Sequence, residues 1–92
     1  MTDPADDPAA EEVRRLVTQL ELDCRGLPCP RPIIELAKVF PGLEVGAVVG
    51  VVADDAAARV DVQAWCRMRG QEYAGSRPAP DGVPTYLVRR LS

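Results

Sequence analysis

Two prolines beside a cysteine constrain the fold of this chain more than any other sequence feature. A proline is tolerated in a helix only within the first turn, where its missing N–H would have no partner. Pro30 and Pro32 stand directly before an apolar pattern with helical spacing, formed by Ile33, Leu36, Ala37 and Phe40. The prolines therefore predict a helix over residues 30–40, ended by the Pro-Gly pair that follows, with Cys29 at its N-cap.

The rest of the chain alternates between strand-like and helix-like patterns. Alternating or continuous apolar residues predict strands at 19–24, 46–53, 71–77 and 83–91, and helical spacing predicts a second helix at 56–69. The order β-α-β-α-β-β predicts an α/β (α+β) fold, a two-layer sandwich in which two helices pack on a four-stranded mixed sheet. The two crossovers predict parallel pairing, and the last two strands predict an antiparallel hairpin.

The second predicted helix has two apolar faces, so the pattern alone does not decide which one is buried. One face consists of Ala58, Val62, Trp65 and Cys66, and the other consists of Ala57, Val60, Ala64 and Met68. Asp54 and Asp55 come just before this helix. Because aspartate is a preferred N-cap residue, we expect both to cap the N-terminus of the helix.

Composition and charge restrict the classes of partner. Residues 1–18 form an acidic segment that we expect to be flexible, with a short helical turn over 11–18, ahead of a single domain at 19–92. The net charge is −3, there is no run of Lys or Arg, and aromatic residues make up 4%, so we expect no direct nucleic-acid binding. The sequence shows neither a signal-peptide pattern nor an apolar stretch of membrane-spanning length. We therefore expect a cytoplasmic monomer that does not bind membranes.

Cys29 is the strongest candidate for chemistry. At a helix N-terminus a thiol lies near free N–H groups and the positive end of the helix dipole, which favours the nucleophilic thiolate. Cys24 falls on the apolar side of the first strand and is predicted to lie in the core, with a secondary, resolving thiol as the alternative. Cys66 is predicted to be structural. The chain has no histidine and its three cysteines lack metal-site spacing, so we expect no metal and no cofactor.

Charged and flexible residues flank this cysteine. Arg25 and Arg31 are predicted to raise the local positive potential, which would favour an anionic sulfur and attract acidic partner surfaces. The alternative is that both are solvated surface charges. Gly26 is predicted to serve the turn by adopting a positive φ. Asp23 is predicted to be a solvated carboxylate at the end of the first strand.

Residues 22–32 resemble the signature of the TusA/SirA (YhhP-like) family of sulfur-carrier proteins. That signature is a Cys-Pro-x-Pro motif after a Leu-Asp-x-Arg-Gly-Leu strand and turn, and the similarity extends over about 19–91, through Asp61 and Trp65. Gln71 departs from the pattern, because many relatives have histidine there. The resemblance implies the β-α-β-α-β-β sandwich and a persulfide on Cys29. It also implies a cysteine desulfurase or rhodanese-type donor and a downstream sulfur-acceptor protein.

The main hypothesis is therefore a sulfur-relay protein whose tip, kept rigid by the two prolines, docks into partner enzymes. The acceptor pathways open to the family are tRNA thiolation, molybdenum-cofactor sulfuration and sulfur oxidation. One alternative is a non-catalytic, redox-sensing or regulatory module that uses the same cysteine. Another is a stand-alone sulfurtransferase with a small-molecule acceptor.

Overall fold

The computed structural model describes residues 8–92, which form four strands and three α-helices. In chain order they are α1 (Pro8–Arg15), β1 (Leu20–Asp23), α2 (Arg31–Val39), a 3₁₀ turn (Phe40–Gly42), β2 (Val48–Val52), α3 (Ala58–Arg69), β3 (Glu72–Pro78) and β4 (Pro84–Arg89). From β1 onward this is the predicted order of strands and helices. Within residues 8–92, none of the helices is long and apolar enough to cross a membrane.

The sheet is mixed, with the strand order β1-β2-β4-β3. β1 pairs with β2 in parallel, while β4 pairs antiparallel with both β2 and β3. The first predicted crossover and the final hairpin are confirmed. The prediction that the second crossover pairs β2 directly with β3 was wrong, because β4 lies between these two strands. β4 is buried at four successive positions, whereas β3 carries a register shift at Tyr73/Gly75, so β4 takes the interior position.

The main core lies between one face of the sheet and the helices α2 and α3. The buried residues of α3 are Ala58, Val62, Trp65 and Cys66, which settles the ambiguity between its two apolar faces. On the competing face, Met68 is 82% exposed and Val60 is 66% exposed. The Trp65 ring packs edge-on against Phe40, with ring centroids 4.9 Å apart. This packing joins the 3₁₀ turn at the end of α2 to α3 in the layer above the sheet.

The opposite face of the sheet is also closed. Its side chains Val48, Val52, Thr85 and Leu87 are buried outside the main core. Val13 of α1 lies so close to Gly75 that a Cβ there would come 2.8 Å from the valine Cγ2. The guanidinium of Arg77 donates to the carbonyl oxygens of Val13 and Leu16, near the end of α1. The described part of the N-terminal segment therefore contacts β3; residues 1–7 lie outside the described residues, and the boundary at 18/19 stays a prediction.

Candidate functional site

Cys29 lies at the tip of the loop that connects β1 to α2. Its side chain is exposed, and the Cys29–Pro30 peptide bond is cis. The helix begins one residue later than predicted, because Pro30 and not Cys29 is the N-cap. The carbonyl oxygen of Pro30 accepts a hydrogen bond from the N–H of Ile34 at 3.1 Å, which is the first i to i+4 bond of the helix. The cysteine therefore stands just outside the helix, with its N–H free to bond elsewhere.

Two aspartates that follow β2 hold the backbone of this loop. Asp55 Oδ2 accepts a hydrogen bond from the N–H of Cys29 at 2.9 Å, and both carboxylate oxygens of Asp54 lie 3.1 Å from the N of Gly26. The predicted capping role is wrong for Asp54. Asp55 Oδ1 accepts from the N–H of Ala57 at 2.9 Å and so caps the turn before α3, but the N-cap itself is Ala57. These bonds fix the position of Cys29 relative to the end of β2.

The Cys29 sulfur faces a carboxylate. Its thiol donates a hydrogen bond to Oδ2 of Asp61, which lies in the first turn of α3. This bond is the main reason why the pKa of Cys29 is raised from its ordinary value, followed by partial desolvation of the sulfur and by the negative charges of Asp61 and Asp55. The Asp61 carboxylate therefore acts against the predicted preference for the thiolate.

Arg25 ties the start of the loop to a distant turn. Its Nε and Nη2 donate to the two carboxylate oxygens of Asp81 at 2.8 and 3.1 Å, and its Nη1 donates to Asp23 at 2.9 Å. The backbone N–H of Arg25 also donates to Asp23, at 3.2 Å, and is the main cause of the lowered pKa of that carboxyl, followed by the guanidinium bond. The guanidinium of Arg25 is the main cause of the lowered pKa of Asp81. Because two carboxylates offset the charge of Arg25, it acts as a clamp rather than as a source of positive potential. Gly26 has φ +77°, which confirms its role in the turn.

The other predicted supporting residues lie at the start of α2. The side chain of Arg31 is 54% exposed, and its Nη2 lies 3.8 Å from Glu35 Oε1. Pro32 is buried beneath this first turn. Arg31 is two residues after Cys29 in the sequence, but its acidic neighbour, Glu35, belongs to its own helix.

The other two cysteines lie in the core. Cys24 is 1% exposed and Cys66 is 2% exposed. Burial raises the pKa of the Cys24 thiol and raises that of Cys66 to about 11. Both cysteines occupy the core positions that the sequence pattern predicted. Of the three cysteines in the chain, Cys29 alone is exposed.

An open groove of about 300 Å³ lies beside Cys29, between residues of α2 and α3. It is lined by Cys29, Pro30, Ile33, Asp61, Ala64, Trp65 and Met68. Apart from the Asp61 carboxylate, this lining is largely apolar. Across residues 8–92, no group of His, Cys, Asp and Glu side chains is arranged to hold a metal ion. The site therefore presents one thiol on an open, partly apolar surface.

Sequence reasoning missed the roles of Asp54, Asp55 and Asp61. The signal for the first two was the predicted parallel pairing of β1 with β2, because the carboxyl ends of parallel strands lie at the same edge of a sheet. The loop before α2 and the loop before α3 must therefore be neighbours. For Asp61 the signal was its place near the start of the helix predicted at 56–69, which is α3 in the structure and begins at that same edge.

Comparisons with known proteins agree on one family. A family model described as "Sulfurtransferase TusA" matches residues 20–90. A putative sulfur carrier protein of Archaeoglobus fulgidus is 35% identical over 69 residues, which cover 75% of this chain and 90% of that protein. The sulfur carrier protein TusA of Pseudomonas syringae is 31% identical, over 90% of this chain and 98% of its own length. The crystal structure of a SirA-like protein from Desulfitobacterium hafniense superposes with a TM-score of 0.69 at 25% identity, covering 80% of this chain and all of the other.

Proposed function

The chain belongs to the TusA sulfurtransferase family, and from that premise we propose that it is a sulfur carrier in which Cys29 holds sulfane sulfur as a persulfide. The carrier takes sulfur from a donor enzyme and delivers it to an acceptor protein. The observation that carries this proposal is the exposure of Cys29, at the tip of a fixed loop, while Cys24 and Cys66 are buried.

Loading the carrier is a thiol exchange in which atoms and electrons balance. The Cys29 sulfur attacks the outer sulfur of a persulfide on the donor's cysteine, and a new S–S bond forms on Cys29. The S–S bond of the donor breaks, and the donor's cysteine sulfur leaves with the electron pair and receives the proton that Cys29 loses. Delivery repeats the exchange with the acceptor's sulfur as the nucleophile. Neither step requires an external oxidant or reductant.

The fold supports this exchange by making the sulfur accessible and well positioned. Hydrogen bonds to Asp54 and Asp55 fix the loop, and Pro30 and Pro32 restrict the backbone at the start of α2. Because the tip is already ordered, docking it into a partner's active site costs little additional conformational entropy. The proposed donors are a cysteine desulfurase or a rhodanese-type enzyme, and the proposed acceptor pathways are tRNA thiolation, molybdenum-cofactor sulfuration and sulfur oxidation.

The same geometry disfavours the redox-sensing alternative. A sensor of this kind would pair Cys29 with a nearby resolving thiol. Cys24 is the nearest cysteine in the sequence, but it is 1% exposed and its pKa is raised by burial. An oxidised Cys29 would therefore meet a partner that is both shielded and protonated. The carrier function needs only the exposed thiol.

Sulfur loading is tested by incubating the protein with a cysteine desulfurase and L-cysteine, and then measuring intact mass with and without reductant. We expect a gain of one sulfur atom that the reductant removes and that maps to Cys29. Cys29→Ser should abolish the gain, while the matched control Cys66→Ala should retain it. If several active desulfurases and rhodaneses load no sulfur, the carrier proposal is wrong. A reversible Cys24–Cys29 disulfide under mild peroxide would favour the sensor instead.

A further inference from the structure

The surface around the Cys29 sulfur is rich in carboxylates. The thiol donates to Asp61 on α3, the Cys29 N–H donates to Asp55 in the loop before α3, and Asp54 binds the loop at Gly26. These groups approach the cysteine from the side of β2 and α3. The charge nearest to the reacting atom is therefore negative.

Arg25 and Arg31 flank this loop, and each has a carboxylate within 4 Å. Arg25 donates to Asp23 and Asp81, and on α2 the closest acidic group to Arg31 is Glu35, at 3.8 Å. Neither guanidinium offsets the carboxylate that accepts the thiol hydrogen bond. The charged groups that contact Cys29 are consequently the carboxylates of Asp55 and Asp61, and the sulfur beside them is a neutral thiol.

A carboxylate in this position has a definite chemical effect. It accepts a hydrogen bond from the thiol, but it would repel the thiolate as a like charge. The direction of the Cys29 pKa shift agrees, since the hydrogen bond to Asp61 is its largest cause. Because the thiolate is the form that attacks sulfur and reacts with oxidants, the contact with Asp61 lowers the reactivity of Cys29 in the free protein.

We propose that Asp61 is a gate on Cys29: it holds the unloaded sulfur as a thiol, and a cationic side chain of the docked donor pairs with Asp61 and frees the sulfur for attack. This inference rests on the proposed carrier function. It identifies the donor by its chemistry, as an enzyme with a lysine or arginine at the rim of its persulfide site. It also replaces the expectation of an acidic partner surface with that of a basic one.

The geometry allows such an exchange of partners. Asp61 is half-buried and lines the open groove, so a long cationic side chain from a docked protein can reach its carboxylate from solvent. An ion pair with that cation takes the place of the thiol hydrogen bond. The thiol proton then passes to the departing cysteine sulfur of the donor, so that one thiol and one persulfide are present before and after the step. The chain has no histidine that could act as a base in its place.

The first test needs no donor. The rate at which iodoacetamide alkylates Cys29 is measured against pH for the wild type, Asp61→Asn and Glu44→Gln, an exposed acidic residue that serves as the matched control. We expect Asp61→Asn to react severalfold faster at pH 7 and its rate profile to move to lower pH, while Glu44→Gln follows the wild type. Asp61→Glu, which retains the carboxylate, should lie nearer to the wild type. Equal rates for Asp61→Asn and the wild type would overturn the gate.

The second test uses single-turnover sulfur transfer from a cysteine desulfurase loaded with L-cysteine, at increasing concentrations of potassium chloride. For Asp61→Asn we expect the donor concentration at half-saturation to rise severalfold and the salt dependence to weaken, because the ion pair is gone. An unchanged half-saturation and salt dependence would remove the cationic donor from the proposal. If the wild type accepts no sulfur at all, the carrier function fails, whereas the alkylation profile still decides the role of Asp61 in the free protein.

Discussion

Cys29 and Cys66 are the same chemical group in two environments, and in both the pKa is raised. The side chain of Cys29 is exposed, and the main cause there is its hydrogen bond to the carboxylate of Asp61. In α3 the main cause is burial, since Cys66 is 2% exposed. One direction of shift therefore arises from two different interactions.

The difference decides which thiol a partner can control. The interaction at Cys29 depends on one exposed contact, so a competing charge or a small movement of the loop is enough to remove it. The environment of Cys66 depends on the packing of the core and changes only when the fold opens. The exposed thiol therefore lies outside the packed region, while the helix that carries Cys66 also carries Asp61, which accepts its hydrogen bond.

The largest expected effect is the ratio of thiol labelling rates in the native protein. We expect iodoacetamide to label Cys29 at least about a thousandfold faster than Cys66, because labelling of the core thiol requires opening against a stability of about 5 kcal/mol or more. Cys24 should be protected in the same way, since it is 1% exposed. Peptide mapping by mass spectrometry after timed labelling measures all three rates.

Two controls make this comparison decisive. Cys29→Ser gives the background of core labelling, and labelling in denaturant should bring Cys24 and Cys66 to similar rates. If Cys24 were labelled as fast as Cys29 in the native state, the separation between a reactive tip and an inert core would be wrong.

A substitution at a buried position of the sheet should change the labelling of Cys66 but not that of Cys29. Leu87 lies on central strand β4 and is fully buried, so Leu87→Ala should lower the free energy of unfolding by about 2–5 kcal/mol. A loss of about 3 kcal/mol would raise the labelling rate of Cys66 about a hundredfold. The labelling rate of Cys29 should stay the same, because its contact with Asp61 does not involve Leu87.

The matched control for this substitution is Leu91→Ala, because Leu91 is 53% exposed and should tolerate truncation. Urea denaturation gives the free energy of unfolding of each variant, and timed labelling gives the two rates. A parallel rise in the rates of Cys29 and Cys66 in Leu87→Ala would mean that the tip opens only when the core does.

Much of the core could be predicted from the sequence because apolar periodicity reports burial directly. The helical spacing of Ala58, Val62, Trp65 and Cys66 gave one of two faces, and packing against the sheet selected it. The position of β4 between β2 and β3 was not predictable in this way. Periodicity shows which residues of a strand are buried, but it does not show which strands are neighbours.

The site was predictable only in part, for a related reason. The two prolines locate the start of α2 to within one residue, since the constraint of a proline is local. The environment of Cys29 depends on Asp55 and Asp61, which lie 26 and 32 residues further along the chain. Such contacts follow from tertiary structure, so the local dipole argument could not include the carboxylate that raises the pKa of the thiol.

The smallest expected effect separates the two regions by pH. Hydrogen bonds from the N–H groups of Cys29 and Ala57 hold the pKa of Asp55 below its usual value of 3.8. The stabilisation from this carboxylate is therefore complete above pH 3.8 and is lost as the pH falls through the lower pKa of the folded state. We expect acidification below about pH 4 to loosen the Cys29 loop before it affects the environment of Cys66. The amide chemical shift and hydrogen exchange of Cys29, followed by NMR, report the loop.

Asp55→Asn retains an acceptor oxygen without a titrating group, so its Cys29 amide should lose this acid transition. If the transition persists with the same midpoint, another group holds the loop.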